Sequence, residues 1–171
     1  MYRTLEPARR KLDRFRWIEP QRWHITLKFY GDITPAQAKL LGQGLETLKT
    51  RPIPIELRGL GAFPDLRSPR VLWVGVLNTT PLLRDLSREV NQLATAHGIA
   101  VDMRKYRPHL TVARALSGGS HRPVARELTP WMDTSLAHTT LSKITLYENV
   151  MGEDGPEYVA LNTVDLTKND S

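Results

Sequence analysis

His24-Ile25-Thr26-Leu27 returns 85 positions later as His109-Leu110-Thr111-Val112. In an extended strand residues i and i+2 point to the same face. His24 and Thr26 therefore share one face while Ile25 and Leu27 bury on the other, and His109 and Thr111 repeat the arrangement. Two strands that each raise an imidazole beside a hydroxyl point to one cleft with two-fold pseudo-symmetry. A matched pair of histidines is also what acid–base chemistry on a phosphodiester requires. One takes a proton from the attacking oxygen and the other gives one to the leaving oxygen. A lone histidine in a strand is more often a hydrogen-bonded structural residue, and a lone threonine reflects strand propensity. The duplicated context reverses both readings.

The segments between the two copies set the class. Residues 4–16 read as a short basic helix, 15–20 as extended with a proline brake, and 23–29 as an alternating strand. Gly31-Asp32 turns the chain. Thr34-Pro35-Ala36-Gln37 then starts a helix, with Thr34 as N-cap, Pro35 in the first turn and Gln37 completing a capping box; Leu40, Leu41, Leu45 and Leu48 supply its apolar stripe. Ile53, Ile55 and Leu57 alternate as a strand, placed at an edge by Pro54. Val71-Leu72-Trp73-Val74-Gly75-Val76 is a near-continuous apolar run, hence a central strand. Thr80-Pro81 opens a second helix striped by Leu82, Leu83, Leu86, Val90 and Leu93 and stopped at Gly98. A short strand is expected near 99–102, a flexible loop at Ser117-Gly118-Gly119-Ser120 and a third helix over 123–133, interrupted at Pro130. Residues 141–147 and 158–166 alternate as two strands of a hairpin. Short turns between strands favour antiparallel pairing. The expected fold is α+β: two pseudo-symmetric lobes in one bilobal domain over 1–171, each an antiparallel sheet with helices on its outer face and a groove between them.

Composition narrows the ligand. The chain has 171 residues, 40% hydrophobic, and a formal net charge of +6. Residues 1–28 hold eight Lys/Arg against three acids and residues 101–126 hold six against one, whereas 127–171 hold two against eight. The basic stretches contain or adjoin the His-x-Thr segments, which favours an anionic ligand there. The chain has no cysteine, so disulfides, thiolate zinc sites and a cysteine nucleophile are excluded. No apolar run approaches the ~18 residues of a membrane span, and the N-terminus lacks the apolar core of a signal peptide; a cytoplasmic protein is expected.

These residues resemble the 2H phosphoesterases, and within them the bacterial and archaeal RNA 2′,3′-cyclic phosphodiesterases, also called 2′-5′ RNA ligases. The resemblance rests on three blocks. Arg22-Trp23-His24-Ile25-Thr26-Leu27-Lys28-Phe29-Tyr30-Gly31-Asp32 is similar to the family's first block. Arg107-Pro108-His109-Leu110-Thr111-Val112-Ala113-Arg114 is similar to its second, and Pro69-Arg70-Val71-Leu72-Trp73-Val74-Gly75-Val76 to the strand between them. The match runs over about residues 16–166. The family's chains begin with an apolar strand before the first helix, whereas this one starts inside that helix, so an uncovered sheet edge is expected.

The resemblance implies hydrolysis of a terminal 2′,3′-cyclic phosphate on RNA, such as a tRNA fragment, to a 2′-phosphate, with reverse 2′-5′ ligation and with no metal or other cofactor. His24 and His109 would form the acid–base pair, suited to it because imidazole titrates near neutrality. Thr26 and Thr111 would donate to phosphate oxygens. Arg114 lies five positions after His109, on the opposite face by strict alternation. It reaches the cleft to hold phosphate only if the strand ends or bulges at Ala113. Lys28, Tyr106 and Arg107 are candidate RNA contacts, weighed against a solvated strand end, core packing and a solvated loop. The competing readings are an RNA-binding module without turnover and a phosphodiesterase acting on a small cyclic nucleotide. A monomer without membrane contact is expected.

Overall fold

The computed structural model describes residues 1–78, 80–100, 105–116, 122–152 and 155–166. The expected strand near 99–102 falls partly, and the loop at 117–120 wholly, outside them. The chain divides into two compact units, Met1–Thr26, Ile55–Thr79 and Arg107–Thr139 forming the first and Leu27–Pro54, Thr80–Tyr106 and Thr140–Ser171 the second. The α+β class with antiparallel sheets holds, and the two units are unequal. The first carries a five-stranded sheet and the second a two-stranded one.

The first unit's sheet has the order β1-β4-β3-β2-β5, with β1 Phe15–Trp17, β2 Ile53–Phe63, β3 Val71–Leu77, β4 His109–Ala115 and β5 Ser135–Leu141. The apolar β3 is central, as its composition demands. Its neighbour β2 is internal, not an edge as Pro54 led us to expect. Pro54 is only the second residue of β2 and lies outside the stretch paired with β3, Glu56 to Phe63, so it removes no hydrogen bond from that ladder. The edges are β1 and, beyond β2, β5, the latter unrecognised in the sequence because five of its seven residues are Ser, Thr, His or Ala. One face of the sheet is buried through Phe15, Leu57, Leu60, Leu72, Val74, Leu110, Val112 and Ala113. Two short helices, α1 Glu6–Lys11 and α4 Ala125–Leu128, pack against each other and bury Leu5, Ala8, Leu12, Val124 and Leu128. The helix expected over 123–133 shortens to α4 plus a 3₁₀ turn at Thr129–Trp131, because Pro130 supplies no amide hydrogen to extend the α-helix.

The second unit packs α2 Pro35–Glu46 against α3 Leu82–Ala96 and against the hairpin of β6 Lys143–Gly152 and β7 Gly155–Asp165. The capping box is complete: the Thr34 hydroxyl accepts from the Gln37 amide at 3.2 Å, and the Gln37 side chain accepts from the Thr34 amide at 2.9 Å. Gly98, at φ +70°, ends α3 while the Ile99 amide donates back to Ala94 at 3.0 Å. Thr34→Ala should therefore cost about 1 kcal/mol of unfolding free energy in urea titration. No helix among the described residues is long and apolar enough to cross a membrane.

Candidate active site

β4 carries the second motif, and its two edges carry everything else. Along one edge runs β3, with Gly75 opposite His109, Val74 opposite Leu110 and Trp73 opposite Thr111. Along the other, β1 pairs Arg16 with Arg114 and Trp17 with Ala113. The chain then leaves the ladder through a 3₁₀ turn at Pro20–Arg22 and returns at a single bridge, Ile25 opposite Leu110. The strand expected over 23–29 is thus reduced to one bridged residue. The turn spends the chain just before it, and β4 has only Thr111, Leu110 and His109 left to offer.

That bridge nevertheless does what a strand was expected to do. Ile25 and Leu110 form the pair, so the antiparallel register sets His24 against Thr111 and Thr26 against His109. Cross-strand neighbours on one face stand about 5 Å apart at Cβ. Imidazole faces hydroxyl across the pair twice, related by a local two-fold.

Both rings are oriented alike. His24 Nδ1 lies 3.0 Å from the Arg22 carbonyl and His109 Nδ1 lies 2.8 Å from the Arg107 carbonyl. A carbonyl oxygen only accepts, so each Nδ1 carries the hydrogen. Nε2 is then each ring's basic nitrogen when neutral and its donor when protonated. Arg107, a candidate RNA contact, is exposed and serves the site through its backbone.

The bulge that Arg114 required is present. Val71 pairs with Arg114 and Leu72 with Ala113, but Trp73 with Thr111, so Val112 is an extra residue on β4. The side-chain parity flips there. Burial records the flip: Leu110, Val112 and Ala113 are buried, while His109 and Thr111 are half-buried and Arg114 is exposed. His109, Thr111 and Arg114 therefore share a face, and Arg114 forms no ion pair with a described residue.

Beyond the motifs lies a wall that motif reading missed. The Phe63 ring meets His109 edge-on at 5.0 Å between centroids and Trp73 at 5.2 Å, and Trp73 lies 6.4 Å from His109. The Trp73 indole covers Gly61, where a Cβ would overlap the ring. Gly75, beside His109, leaves that position without a side chain. The signal was available as glycines inside a strand pattern, which mark close approach. Arg58, opposite Gly75, is held by Glu56 at 2.9 Å and Asp133 at 3.2 Å. The Ser135 hydroxyl and the Arg58 guanidinium hold the Glu56 carboxyl below its ordinary range.

Two candidates sit differently. Lys28 belongs to the second unit, and its Nζ is buried with no partner among the described residues, so it is no solvated strand end. Tyr106 is in that unit too. Its hydroxyl is buried without a described partner, and burial pushes its ionisation up; the same cause puts Tyr30 up to about 12. Trp23 is a structural residue, its indole donating to the Ile18 carbonyl at 2.9 Å and its ring 5.8 Å from that of Tyr2.

A family model described as LigT like Phosphoesterase matches residues 2–73. An RNA 2′,3′-cyclic phosphodiesterase of Aeropyrum pernix is 34% identical over 148 residues, spanning 86% of this chain and 84% of that protein. One of Aquifex aeolicus is 34% identical over 149 residues, spanning 85% and 79%. Among solved structures, a Thermus thermophilus protein aligns with a TM-score of 0.73 at 22% identity over 95% of this chain and 87% of its own. E. coli LigT complexed with 3′-AMP aligns at 0.71 and 22% identity over 94% and 87%. These two structural likenesses concern the fold.

Proposed function

The chain belongs to the LigT-like phosphoesterase family, and from that premise we propose that it hydrolyses the 2′,3′-cyclic phosphate at the 3′ end of RNA to a 2′-phosphate by two-histidine catalysis. The observation that carries the reading is the Ile25–Leu110 bridge, which sets two identically oriented imidazoles on one face, each opposite a threonine. One Nε2 takes the proton of the attacking water as its oxygen bonds to phosphorus. The other, protonated, gives its hydrogen to the departing 3′-oxygen as the P–O3′ bond breaks. The rings exchange protonation states in one turnover, and solvent restores them. With a 5′-hydroxyl in place of water the same steps form a 2′-5′ linkage.

Thr26 and Thr111 donate hydrogen bonds to the non-bridging oxygens, whose charge grows in the five-coordinate transition state, and Arg114 supplies a guanidinium for a phosphate of the RNA. Thr111→Val should lower kcat by about 10²-fold with little change in KM, as expected for a donor used mainly in the transition state. Steady-state kinetics on a cyclic-phosphate RNA oligomer measure this.

The test of the reading is that oligomer incubated with wild-type protein in EDTA. Accumulation of 2′-phosphate ends supports it. Salt-dependent binding without turnover would move the assignment to an RNA-binding module, and turnover confined to cyclic mononucleotides would move it to small-molecule chemistry.

A further inference from the structure

The catalytic face continues past the two motifs. Moving along β4 from His109, the next positions on this face are Thr111 and, after the bulge, Arg114. On the neighbouring edge strand the residue directly opposite Arg114 is Arg16. Arg16 is exposed between Phe15, which is buried, and Trp17, which is half-buried, so it points away from the core and to the same side as Arg114. The sequence disguised it as one more charge in a basic N-terminal stretch. Only the β1–β4 register gives it a position.

Arg16 and Arg114 are thus direct cross-strand neighbours on one face. Together they suit an anion lying between them, because each offers a fork of N–H donors shaped for phosphate oxygens. The place of that anion is set by the sheet. Arg114 is opposite Val71 and Thr111 is opposite Trp73, two residues apart on β3, or about 7 Å along the strand. That is the scale of one nucleotide step in an extended single strand. The sites of acid–base chemistry and the arginine pair therefore stand one phosphate apart.

We propose that Arg16 and Arg114 together grip the phosphodiester immediately 5′ to the terminal cyclic phosphate, so that the protein reads its substrate as a chain end rather than as a nucleotide. The assignment deepens the phosphodiesterase reading and rests on it. Arg16 makes no contact with the reacting atoms; its role is substrate binding at a subsite that a cyclic mononucleotide leaves empty.

The experiment compares kcat/KM on a short RNA with a 2′,3′-cyclic end and on the corresponding 2′,3′-cyclic mononucleotide, for wild type and Arg16→Gln. Wild type should favour the RNA, and Arg16→Gln should cut the RNA-to-mononucleotide ratio about tenfold or more, the loss of a charge-assisted contact. The salt dependence of RNA affinity should weaken by about 0.7 in its logarithmic slope, one single-strand phosphate contact. Thermal melting of Arg16→Gln beside wild type, with turnover of the mononucleotide, ensures that the ratio is read on folded protein. A ratio that Arg16→Gln leaves unchanged, or a salt slope that does not move, overturns the subsite while leaving the phosphodiesterase reading intact. Wild-type protein that turns over neither substrate overturns that reading, and the subsite with it.

Discussion

His24→Ala and His109→Ala should each lower kcat on a cyclic-phosphate RNA end by about 10²–10⁴-fold, the loss expected when one partner of a general acid–base pair is removed. The magnitude follows from the scheme's proton balance. Water is a poor nucleophile while it keeps its proton, and a ribose 3′-oxygen is a poor leaving group until it gains one. In the proposed scheme each ring presents Nε2 for its task because Nδ1–H is committed to a backbone carbonyl, of Arg22 in one case and Arg107 in the other. Alanine removes the whole device, and no other described side chain on this face is an imidazole at motif position. His109 also packs edge-on against Phe63, so thermal melting should accompany its kinetics. A folded His109→Ala protein with less than tenfold loss would make that ring structural.

The largest effect on stability falls on a residue outside both motifs. Gly59→Ala should cost about 2–4 kcal/mol, a positive-φ strain compounded by overpacking. Gly59 has φ +73° and is the extra residue of a bulge, since Arg58 pairs with Gly75 and Leu60 with Val74. Its amide donates to the Thr134 carbonyl at 3.0 Å, and a Cβ there would strike the Met132 carbonyl. The obstacle is backbone on both sides and cannot swing away. The bulge also decides the site's wall: Arg58 and Gly61 are three apart yet share a face only because Gly59 resets the parity. Gly61 can then lie under the Trp73 indole. Urea unfolding should show a lower midpoint at an unchanged slope. A loss under 1 kcal/mol would contradict the geometry.

The same physics separates what could be read from the chain and what could not. The capping box at Thr34 and the stop at Gly98 were legible because a helix end is decided by side chains within one turn of it. The face shared by His109 and Thr111 was legible because period two is local. Arg114 was legible as a condition, a bulge at Ala113, which the register meets. Arg16 was hidden, because a cross-strand neighbour is a fact about pairing and nothing near Phe15 announces β4. The strand expected around His24 failed for a related reason: alternation describes which face a residue takes, whereas strand length depends on how much partner edge remains. β5 escaped notice because a half-exposed edge strand needs few apolar residues, and Leu136 is its one buried member.

The most direct measurement follows an RNA oligomer ending in a 2′,3′-cyclic phosphate by phosphorus NMR, in EDTA, with wild type, His24→Ala and His109→Ala in parallel. Two-histidine catalysis predicts conversion to a 2′-phosphate by wild type and none on that timescale by either folded variant. A 3′-phosphate product, or full turnover surviving in either variant, would contradict it.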